Sequence, residues 1–543
     1  MGETIDTFAR ENLPAIELWP EIDLTHSAYH YPDRFNCVTR FLDQWIEKGE
    51  GDRTALITPN DRWSYEHLYQ QVNRIAHVLV EDYALVPGNR VLLRSANNSM
   101  MLAAYLAVMR VGGIAVGTMP LLRSTELSDI LNKARITHAL CDWRLRDELE
   151  VCRDYAPDLT TIGYFHSTAP DGLEALMDGK PTDYTAFDSA IDDVCLIAFT
   201  SGTTGQPKGT MHFHRDLLSI CDGFNRMVLR PEPGDIFCGS PPLAFTFGLG
   251  GMALFPLDVG AAVLLLEKAS PAVLLEAIEH YRATICFTAP TAYRAMLPEL
   301  AMHDISSLRK AVSAGEHLPA ATFDAFFQAT GVKLIDGLGS TEMLHVFVTA
   351  REEDMKPGAT GIAVPGYRVA ILDDNGAELP AGQVGRLAVK GPTGCRYLAD
   401  ERQKTYVHDG WNLPGDAARM DDDGYIWYEA RTDDMIVSSG YNVGAPEVEN
   451  ALLKHPAVSE CGVVGQQHDQ RGTIIKAYVV CADNIKSGPD LAVELQDHVK
   501  RTIAPYKYPR EVQFVNELPK TGTGKIQRFR LREMAQKEGA HNG

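Results

Sequence analysis

Apolar residues recur in two alternating patterns over the first part of the chain. Short runs of strand length, such as residues 54–57, 91–93 and 113–116, alternate with segments such as 64–79 and 100–110, where apolar side chains return at helical spacing. Strands that alternate with helices in this way are typical of a parallel sheet with helices on both faces. We therefore predict doubly wound α/β organisation, with ligands bound beyond the carboxyl ends of the strands.

The same alternation continues to about residue 340 and carries recognisable helix boundaries. Ser270 and Pro271 predict a helix start, because a capping hydroxyl is followed by proline at the first helical position. That helix gives way near Ala283 to a strand at 284–288. A second helix at 320–330 is predicted to end at the glycine that follows it.

Around Tyr367 the pattern changes. Apolar runs at 368–372 and 384–390 flank an Asp-Asn-Gly turn signal at 374–376. This part is predicted to be antiparallel sheet, forming a small barrel or sandwich.

After Arg431 the chain restarts as a small α+β unit. We predict a large N-terminal domain, residues 1–432, of doubly wound α/β subdomains plus a small β-barrel. A small mobile α+β C-terminal domain, residues 433–543, follows, with the linker at Asp433 as the boundary. Its helices are predicted near 446–454 and 491–501, and its strands near 458–464 and 474–480.

Composition narrows the class of protein. The chain has 543 residues, 45% of them hydrophobic, and a net charge of −21, which argues against a nucleic-acid or anionic-membrane surface. Ten cysteines without a C-x-x-C pair favour buried free thiols over a disulfide framework or zinc site. The apolar run at 261–266 is too short to span a bilayer, and the amino terminus has no signal-peptide pattern. We expect a cytoplasmic protein, and the sequence leaves a homodimer open.

Residues 200–209 (Thr-Ser-Gly-Thr-Thr-Gly-Gln-Pro-Lys-Gly) are rich in glycines and hydroxyls. They follow the apolar run at 194–199 and precede apolar residues at helical spacing, which predicts a loop between a buried strand and a helix. Backbone N–H groups, hydroxyls and one lysine make a cradle for phosphate. The loop is not a Walker A motif, because Pro207 stands where that motif needs glycine. The candidate phosphate contacts are Thr200, Ser201, Gly202, Thr203, Thr204 and Lys208.

This order of residues resembles the phosphate loop of the adenylate-forming superfamily, which includes acyl- and aryl-CoA synthetases. Further blocks resemble the same superfamily in the same order, at 242–248, 313–319, 336–342, 415–416 with 431–434, and 518–525. The resemblance implies an adenosine site made by Gly315, Glu316, His317, Asp336, Gly337, Leu338, Gly339, Thr341, Asp416 and Arg431. From their chemistry, the Asp336 carboxylate can accept from an exocyclic amine and Glu342 offers a hard oxygen ligand for Mg²⁺.

The resemblance also implies the roles of the remaining candidates. Lys525 is expected to be the adenylation lysine, acting with Thr341 and Glu342, and Asp433 is expected to be the hinge. Coenzyme A is expected to contact Ser439, Gly440 and Tyr441. The pocket for the carboxylate substrate is expected to contain Phe245, Thr246, Phe247, Gly248, Gly337, Gly339 and His345.

Within the superfamily, residues 337–345 and 247–250 are most similar to benzoate- and 2-aminobenzoate-CoA ligases. This resemblance implies an ATP- and Mg²⁺-dependent ligase that joins an aromatic carboxylate to AMP and then to coenzyme A. The rivals are an adenylation enzyme that loads a carrier protein, a non-catalytic nucleotide-binding relative and a luciferase-like oxygenase. Thr246 stands where benzoate ligases tend to have a small apolar residue, so its hydroxyl is predicted to favour 2-aminobenzoate over benzoate.

Overall fold

The computed structural model describes residues 4–200, 207–432, 435–438, 441–468, 472–503, 505–520 and 525–539. Its first sheet has six strands, and all run parallel except the last, which pairs antiparallel with its neighbour. In spatial order the strands of the first sheet are Thr161–Phe165, His138–Asp142, Arg90–Arg94, Ile114–Thr118, Val194–Thr200 and Lys208–Phe213.

The second sheet has nine strands. Its six central strands run parallel, and antiparallel strands complete both edges. In spatial order they are Ile362–Ala363, Val346–Thr349, Leu334–Gly339, Lys310–Ala314, Ile285–Thr288, Ile236–Gly239, Ala262–Leu264, Thr54–Ile57 and Arg62–Ser64. The two sheets confirm the predicted α/β class.

Helices cover these sheets, and several begin where the sequence predicts. Ser64 Oγ accepts from the His67 N–H, and Ser270 Oγ accepts from the Val273 N–H, as expected of N-caps. Every residue of helix Ser99–Arg110 is buried. The α-helices before residue 432 are Phe8–Glu11, Gln44–Glu47, Tyr65–His77, Ser99–Arg110, Ser124–Lys133, Arg146–Cys152, Leu173–Met177, His214–Ile220, Thr246–Leu249, Phe255–Val259, Pro271–Tyr281, Pro290–Met296, Ala320–Thr330 and Gln403–Tyr406.

Shorter helical segments extend or join these helices. Four have π-type hydrogen bonding, namely Thr39–Asp43, Val78–Asp82, Cys221–Leu229 and Gly250–Leu254. The 3₁₀ turns are Ile16–Leu18, Ser27–Tyr29, Trp143–Leu145, Leu300–Met302, Glu352–Asp354 and Pro505–Lys507.

The third sheet is antiparallel, which confirms the change of pattern around Tyr367. The predicted runs form strands Arg368–Leu372 and Val384–Lys390, and the first pairs along its whole length with residues 386–390 of the second. Between them, the Asp373 carboxylate accepts from the backbone N–H groups of Asn375 and Ala377 and closes the turn. The other strands of this sheet are Val407–His408, Trp411–Asn412, Asp416–Met420 and Ile426–Arg431.

The C-terminal part has its own small core. A hairpin, Met435–Ser438 with Tyr441–Gly444, precedes a three-stranded sheet of Val458–His468, Gly472–Cys481 and Glu511–Phe514. Its helices are Ala445–Leu453, Pro489–Thr502 and Arg528–Gly539. A hydrophobic cluster running from Ile436 to Val499 belongs to this part alone, as expected of a separate α+β unit. Asp433, the proposed hinge, lies outside the described residues.

One local prediction is wrong. The phosphate loop does not lead from a strand directly into a helix, because residues 208–213 form a second strand antiparallel to Val194–Thr200. The helix begins only at His214. We call these two strands the phosphate hairpin. The run from Lys208 to Phe213 is short and mixes polar with apolar side chains, so only its partner strand makes it extended.

Two compositional expectations also have structural counterparts. All ten cysteines are free thiols, and nine of them are buried. None of the helices in the described ranges combines the length and apolar character needed to span a bilayer.

Candidate nucleotide and carboxylate site

The phosphate hairpin brings Thr200 and Lys208 side by side, because they are register partners at the open end of its two strands. The Thr200 hydroxyl is buried and makes no hydrogen bond to any described residue. An unsatisfied buried hydroxyl at this place fits an oxyanion partner. Four further candidates, Ser201, Gly202, Thr203 and Thr204, lie outside the described residues.

Lys208, Tyr397 and Glu342 form a chain of contacts at the base of this hairpin. The Lys208 ammonium donates to the Tyr397 hydroxyl at 3.1 Å, and that hydroxyl donates to Glu342 Oε1 at 2.6 Å. Lys208 Nζ also lies 3.6 Å from Glu342 Oε1. Burial and then the Glu342 charge raise the pKa of Tyr397 far above its ordinary value, so the phenol stays a donor. The sequence reasoning missed Tyr397, which no local pattern distinguishes from a core tyrosine.

The donor set around Glu342 fits a magnesium ion. Mg²⁺ is usually held by one or two carboxylates together with substrate phosphates and water, and Glu342 is a nearly buried carboxylate beside the phosphate hairpin. When bound there, Mg²⁺ supplies positive charge that offsets the charge of the phosphates.

The loop that carries Thr341 and Glu342 is tied to the phosphate hairpin by His212. The His212 Nε2–H donates to the Thr341 carbonyl at 2.9 Å. His212 is wholly buried, and its Nδ1 lies 3.8 Å from the Asp216 carboxylate. On the other side of the loop, the hydroxyls of Ser340 and Tyr406 are 3.1 Å apart. Thr341 and Glu342 are therefore fixed relative to Lys208 by several buried contacts.

Asp416 and Arg431, the expected ribose contacts, are register partners on neighbouring strands of the third sheet. Arg431 Nη1 donates to the Pro414 carbonyl at 2.6 Å and lies 3.4 Å from Asp416 Oδ1. Gly415 has φ +82°, and a Cβ there would stand 2.7 Å from Arg431 Nη2. The glycine thus allows the guanidinium to lie directly over the backbone.

The expected adenosine loop, residues 315–317, contacts both the third sheet and the C-terminal part, which the sequence did not indicate. The His317 ring stacks on Tyr428 with ring centres 5.5 Å apart, and its Nε2 accepts from Asn450 Nδ2 at 2.9 Å. Burial, with help from the Arg528 charge, lowers the pKa of His317 to about 4 and keeps the ring neutral. His317 therefore joins the third sheet to the C-terminal helix Ala445–Leu453.

Asp336 lies on strand Leu334–Gly339 with Gly337, Leu338 and Gly339. Burial raises the pKa of Asp336 to about 7, although the Thr360 hydroxyl and the Gly337 N–H favour the ionised form. A Cβ on Gly337 or Gly339 would meet Val346 or the His345 carbonyl at 2.7 and 2.6 Å. The close approach of strand Val346–Thr349 therefore requires both glycines, a constraint that the sequence alone did not reveal.

The expected carboxylate pocket brings together Thr246, Phe247 and His345. The His345 ring lies 5.5 Å from the Phe247 ring and also contacts the rings of Phe224 and Phe255. Burial lowers the pKa of His345 to about 3, so the imidazole is neutral. These rings give the expected pocket, which we call the slot, an apolar lining with flat faces.

Two other members of this pocket play different parts. Phe245 keeps 36% of its surface exposed and lies at the edge rather than the bottom of the slot. A Cβ on Gly248 would stand 2.0 Å from the Pro242 carbonyl oxygen, so this glycine is required by the turn that precedes helix Thr246–Leu249.

Lys525 comes from the C-terminal part and lies over the adenosine loop. A Cβ on Gly315, whose φ is +91°, would stand 3.1 Å from Lys525 Cε. Burial raises the pKa of Glu316, and the nearby charge of Lys525 lowers it. The expected coenzyme A contacts Ser439 and Gly440 lie outside the described residues, and Tyr441 begins strand Tyr441–Gly444.

Comparison with known proteins agrees with this geometry. A family model for AMP-binding enzymes matches residues 42–397, and one for the AMP-binding enzyme C-terminal domain matches residues 447–525. The chain is 34% identical to the benzoate–CoA ligase of Thauera aromatica over 94% of this chain and 98% of that protein.

Two solved structures share the fold over nearly the whole chain. The anthranilate CoA ligase AuaEII in complex with anthranoyl-AMP has a TM-score of 0.91 and 33% identity, covering 95% of this chain and all of that one. The benzoate CoA ligase of Burkholderia xenovorans LB400 has a TM-score of 0.85 and 30% identity, covering 92% of this chain and all of that one.

The fold and the site together define an enzyme class, the adenylate-forming ligases. The chain belongs to the AMP-binding enzyme family within that class, which confirms the resemblance found in its motifs. Enzymes of this AMP-forming CoA-ligase group use ATP, Mg²⁺ and coenzyme A.

Proposed function

We propose that the protein is an aryl-CoA ligase that activates 2-aminobenzoate with ATP and transfers the aryl group to coenzyme A. The observation that carries the choice of acid is the Thr246 hydroxyl. Thr246 is 7% exposed, and its hydroxyl oxygen is not fully buried, so it keeps contact with solvent. An aromatic acid that covered this hydroxyl without offering a hydrogen bond would leave it buried and unpaired, which is costly.

Thr246 and His345 share one wall of the slot. Thr246 begins helix Thr246–Leu249, and Gly250 follows one turn later on the same face. A Cβ on Gly250 would stand 2.5 Å from the His345 ring, so that face is in contact with the imidazole. An aromatic acid that lies against this wall would place an ortho substituent near the Thr246 hydroxyl. The amine of 2-aminobenzoate can hydrogen-bond there, whereas benzoate has no partner to offer.

The first half-reaction joins two anions, the carboxylate and the α-phosphate of ATP. In our proposal Thr200 and Lys208 hold the phosphates, with Thr341 and Glu342 beside them, where Glu342 would hold Mg²⁺. Asp416 and Arg431 fix the ribose, and Asp336 accepts from the adenine amine. Lys525 stabilises negative charge that develops as the carboxylate oxygen attacks phosphorus and pyrophosphate leaves.

In the second half-reaction the coenzyme A thiol attacks the carbonyl carbon of the aryl-adenylate, and AMP leaves. In our proposal the thiol needs the surface next to the carbonyl that Lys525 occupies during the first half-reaction. We propose that the C-terminal domain rotates at Asp433 and brings Ser439, Gly440 and Tyr441 to that position.

A panel of carboxylic acids, scored for AMP formation with and without coenzyme A, tests the assignment. We expect 2-aminobenzoate to have a higher kcat/KM than benzoate, because one unmade buried hydrogen bond costs ~1–3 kcal/mol, roughly 5- to 150-fold. AMP formation that depends on a carrier protein and not on coenzyme A would instead identify a carrier-loading enzyme.

Variants at position 246 isolate the hydroxyl. We expect Thr246→Val, which keeps the shape, to remove or reverse the preference for 2-aminobenzoate. Thr246→Ser keeps the hydroxyl and is expected to keep the preference. Equal kcat/KM for the two acids in the unmodified enzyme would overturn the choice of acid and leave the ligase assignment intact.

A further inference from the structure

Arg294 of the large domain donates two hydrogen bonds to the backbone of the C-terminal domain. Arg294 lies on helix Pro290–Met296, and its Nε donates to the Ser459 carbonyl at 3.0 Å. Its Nη2 donates to the Val458 carbonyl at 3.1 Å. The two carbonyls stand at the beginning of strand Val458–His468, the first strand of the C-terminal sheet. One planar guanidinium thus spans two consecutive peptide groups across the domain boundary.

The helix that carries Arg294 also contacts the candidate active site. Thr291, one turn earlier on the same helix, lies beside the Glu316 carboxylate, and the charge of Lys525 acts on that carboxylate. A second contact, between His317 and Asn450, crosses between the domains next to the same loop. Both contacts therefore exist in the orientation that places Lys525 over Gly315.

We propose that Arg294 is a positioning residue that latches the C-terminal domain in the adenylate-forming orientation. The proposal rests on the proposed function, because it concerns the order of that enzyme's two half-reactions. Arg294 does not touch the reacting atoms. It acts through Lys525, which it keeps over Gly315 until the domain rotates.

The geometry also explains why an arginine suits a reversible contact. Its partners are backbone carbonyls, so no buried carboxylate is left unpaired when the domains separate, and each lost bond is replaced by water. The net gain from a hydrogen bond to a charged group is correspondingly moderate. Such a contact biases the equilibrium between orientations without freezing it.

The first test separates the two half-reactions. We expect Arg294→Ala to slow aryl-adenylate formation about 10-fold or more in single turnover, because the change removes two hydrogen bonds from a charged group. Thioester formation from supplied aryl-adenylate and coenzyme A should be unchanged or faster, since that step needs the latch open. Arg294→Lys keeps the charge but only part of the geometry, and should lie between. Asn450→Ala removes one neutral hydrogen bond, so it should also slow aryl-adenylate formation and spare thioester formation, but by a smaller factor.

Arg351→Ala is the matched control. Arg351 Nε also donates to a backbone carbonyl, that of Met227 at 3.0 Å, but within the large domain. Its loss should leave the ratio of the two half-reactions unchanged. Equal slowing of both steps by Arg294→Ala, or no slowing of either, would overturn the latch.

A second measurement does not depend on any acid. Spin labels at Met302→Cys and Val493→Cys, both exposed positions in different domains, report the distance between them in a Cys481→Ser background with ATP and Mg²⁺. We expect one dominant distance in the otherwise unmodified protein, a shifted or broadened distribution with Arg294→Ala, and none of that change with Arg351→Ala. Identical distributions in all three proteins would refute the latch, whereas an inactive unmodified enzyme in the acid panel would refute only the proposed function.

Discussion

Lys208 and Lys525, the two lysines of the candidate nucleotide site, are held in opposite ways. Lys208 lies on the phosphate hairpin, where Tyr397 and Glu342 are within hydrogen-bonding or ion-pair distance and His212 fixes the loop opposite. Lys525 arrives from another domain, which side-chain contacts such as those of Arg294 and Asn450 hold beside the large one. The first lysine belongs to a preorganised cradle, and in our proposal the second is delivered by movement of the C-terminal domain. This difference suits an enzyme whose nucleotide cradle stays in place through both half-reactions, although pyrophosphate leaves after the first, and that needs Lys525 only for that first step.

The sharpest test of this division is Lys525→Ala. A delivered lysine that stabilises charge only during adenylation should cost about 10²-fold or more in aryl-adenylate formation when removed. Thioester formation from supplied aryl-adenylate should be largely spared. The two half-reactions are measured separately by single-turnover assays, and an equal loss in both would show that Lys525 is structural or shared.

Proline at the proposed hinge tests whether rotation of the C-terminal domain is needed to bring Lys525 to the site and to remove it. Proline fixes φ, so Asp433→Pro should restrict rotation of the C-terminal domain. We expect pyrophosphate exchange to continue and thioester synthesis to be lost. Asp433→Ala, which leaves φ free, serves as the control. Normal rates of both steps in the proline variant would contradict rotation at this residue.

Tyr397→Phe tests the preorganised side. The change removes the hydroxyl that contacts both Lys208 and Glu342. Lys208 Nζ and Glu342 Oε1 are 3.6 Å apart, so without that hydroxyl the lysine can pair directly with the carboxylate instead of with a phosphate. We expect kcat/KM for ATP to fall about 10-fold, as for loss of a hydrogen bond to a charged group. Tyr406→Phe removes a neutral hydroxyl contact to Ser340 and should have a smaller effect. Similar losses in the two variants would show that Tyr397 contributes only to packing.

The smallest expected effect concerns Asp336. Its pKa is raised to about 7 by burial, so the carboxylate is mostly protonated below that pH and ionised above it. The adenine amine prefers an ionised acceptor, so the KM for ATP should fall as the pH rises from 6 to 8, by up to about 10-fold. ATP itself titrates in this range, so Asp336→Asn is the control and should lack this component. The same pH dependence in both enzymes would assign it to ATP or another group.

Much of the fold could be predicted because it follows from local chemistry. Ser64 and Ser270 cap helices as their sequence context indicates, and the Asp-Asn-Gly turn joins two antiparallel strands. The strand at Lys208–Phe213 was missed because its partner, not its own composition, makes it extended. Tyr397 was missed for a related reason, since its role depends on neighbours 189 and 55 residues away in the sequence.

The sequence by itself determined the family, the order of the motifs and the identity of the charged groups, because these depend on residue type and spacing. Only the tertiary structure decided which groups meet. It placed strand Val346–Thr349 against the glycines of strand Leu334–Gly339, and it stacked His317 on Tyr428. It also set Arg294 against the Val458 and Ser459 carbonyls. The partner of a backbone carbonyl cannot be predicted from the pattern of side chains. Contacts to backbone and contacts between distant segments leave no local signature, so they become visible only when the chain is folded.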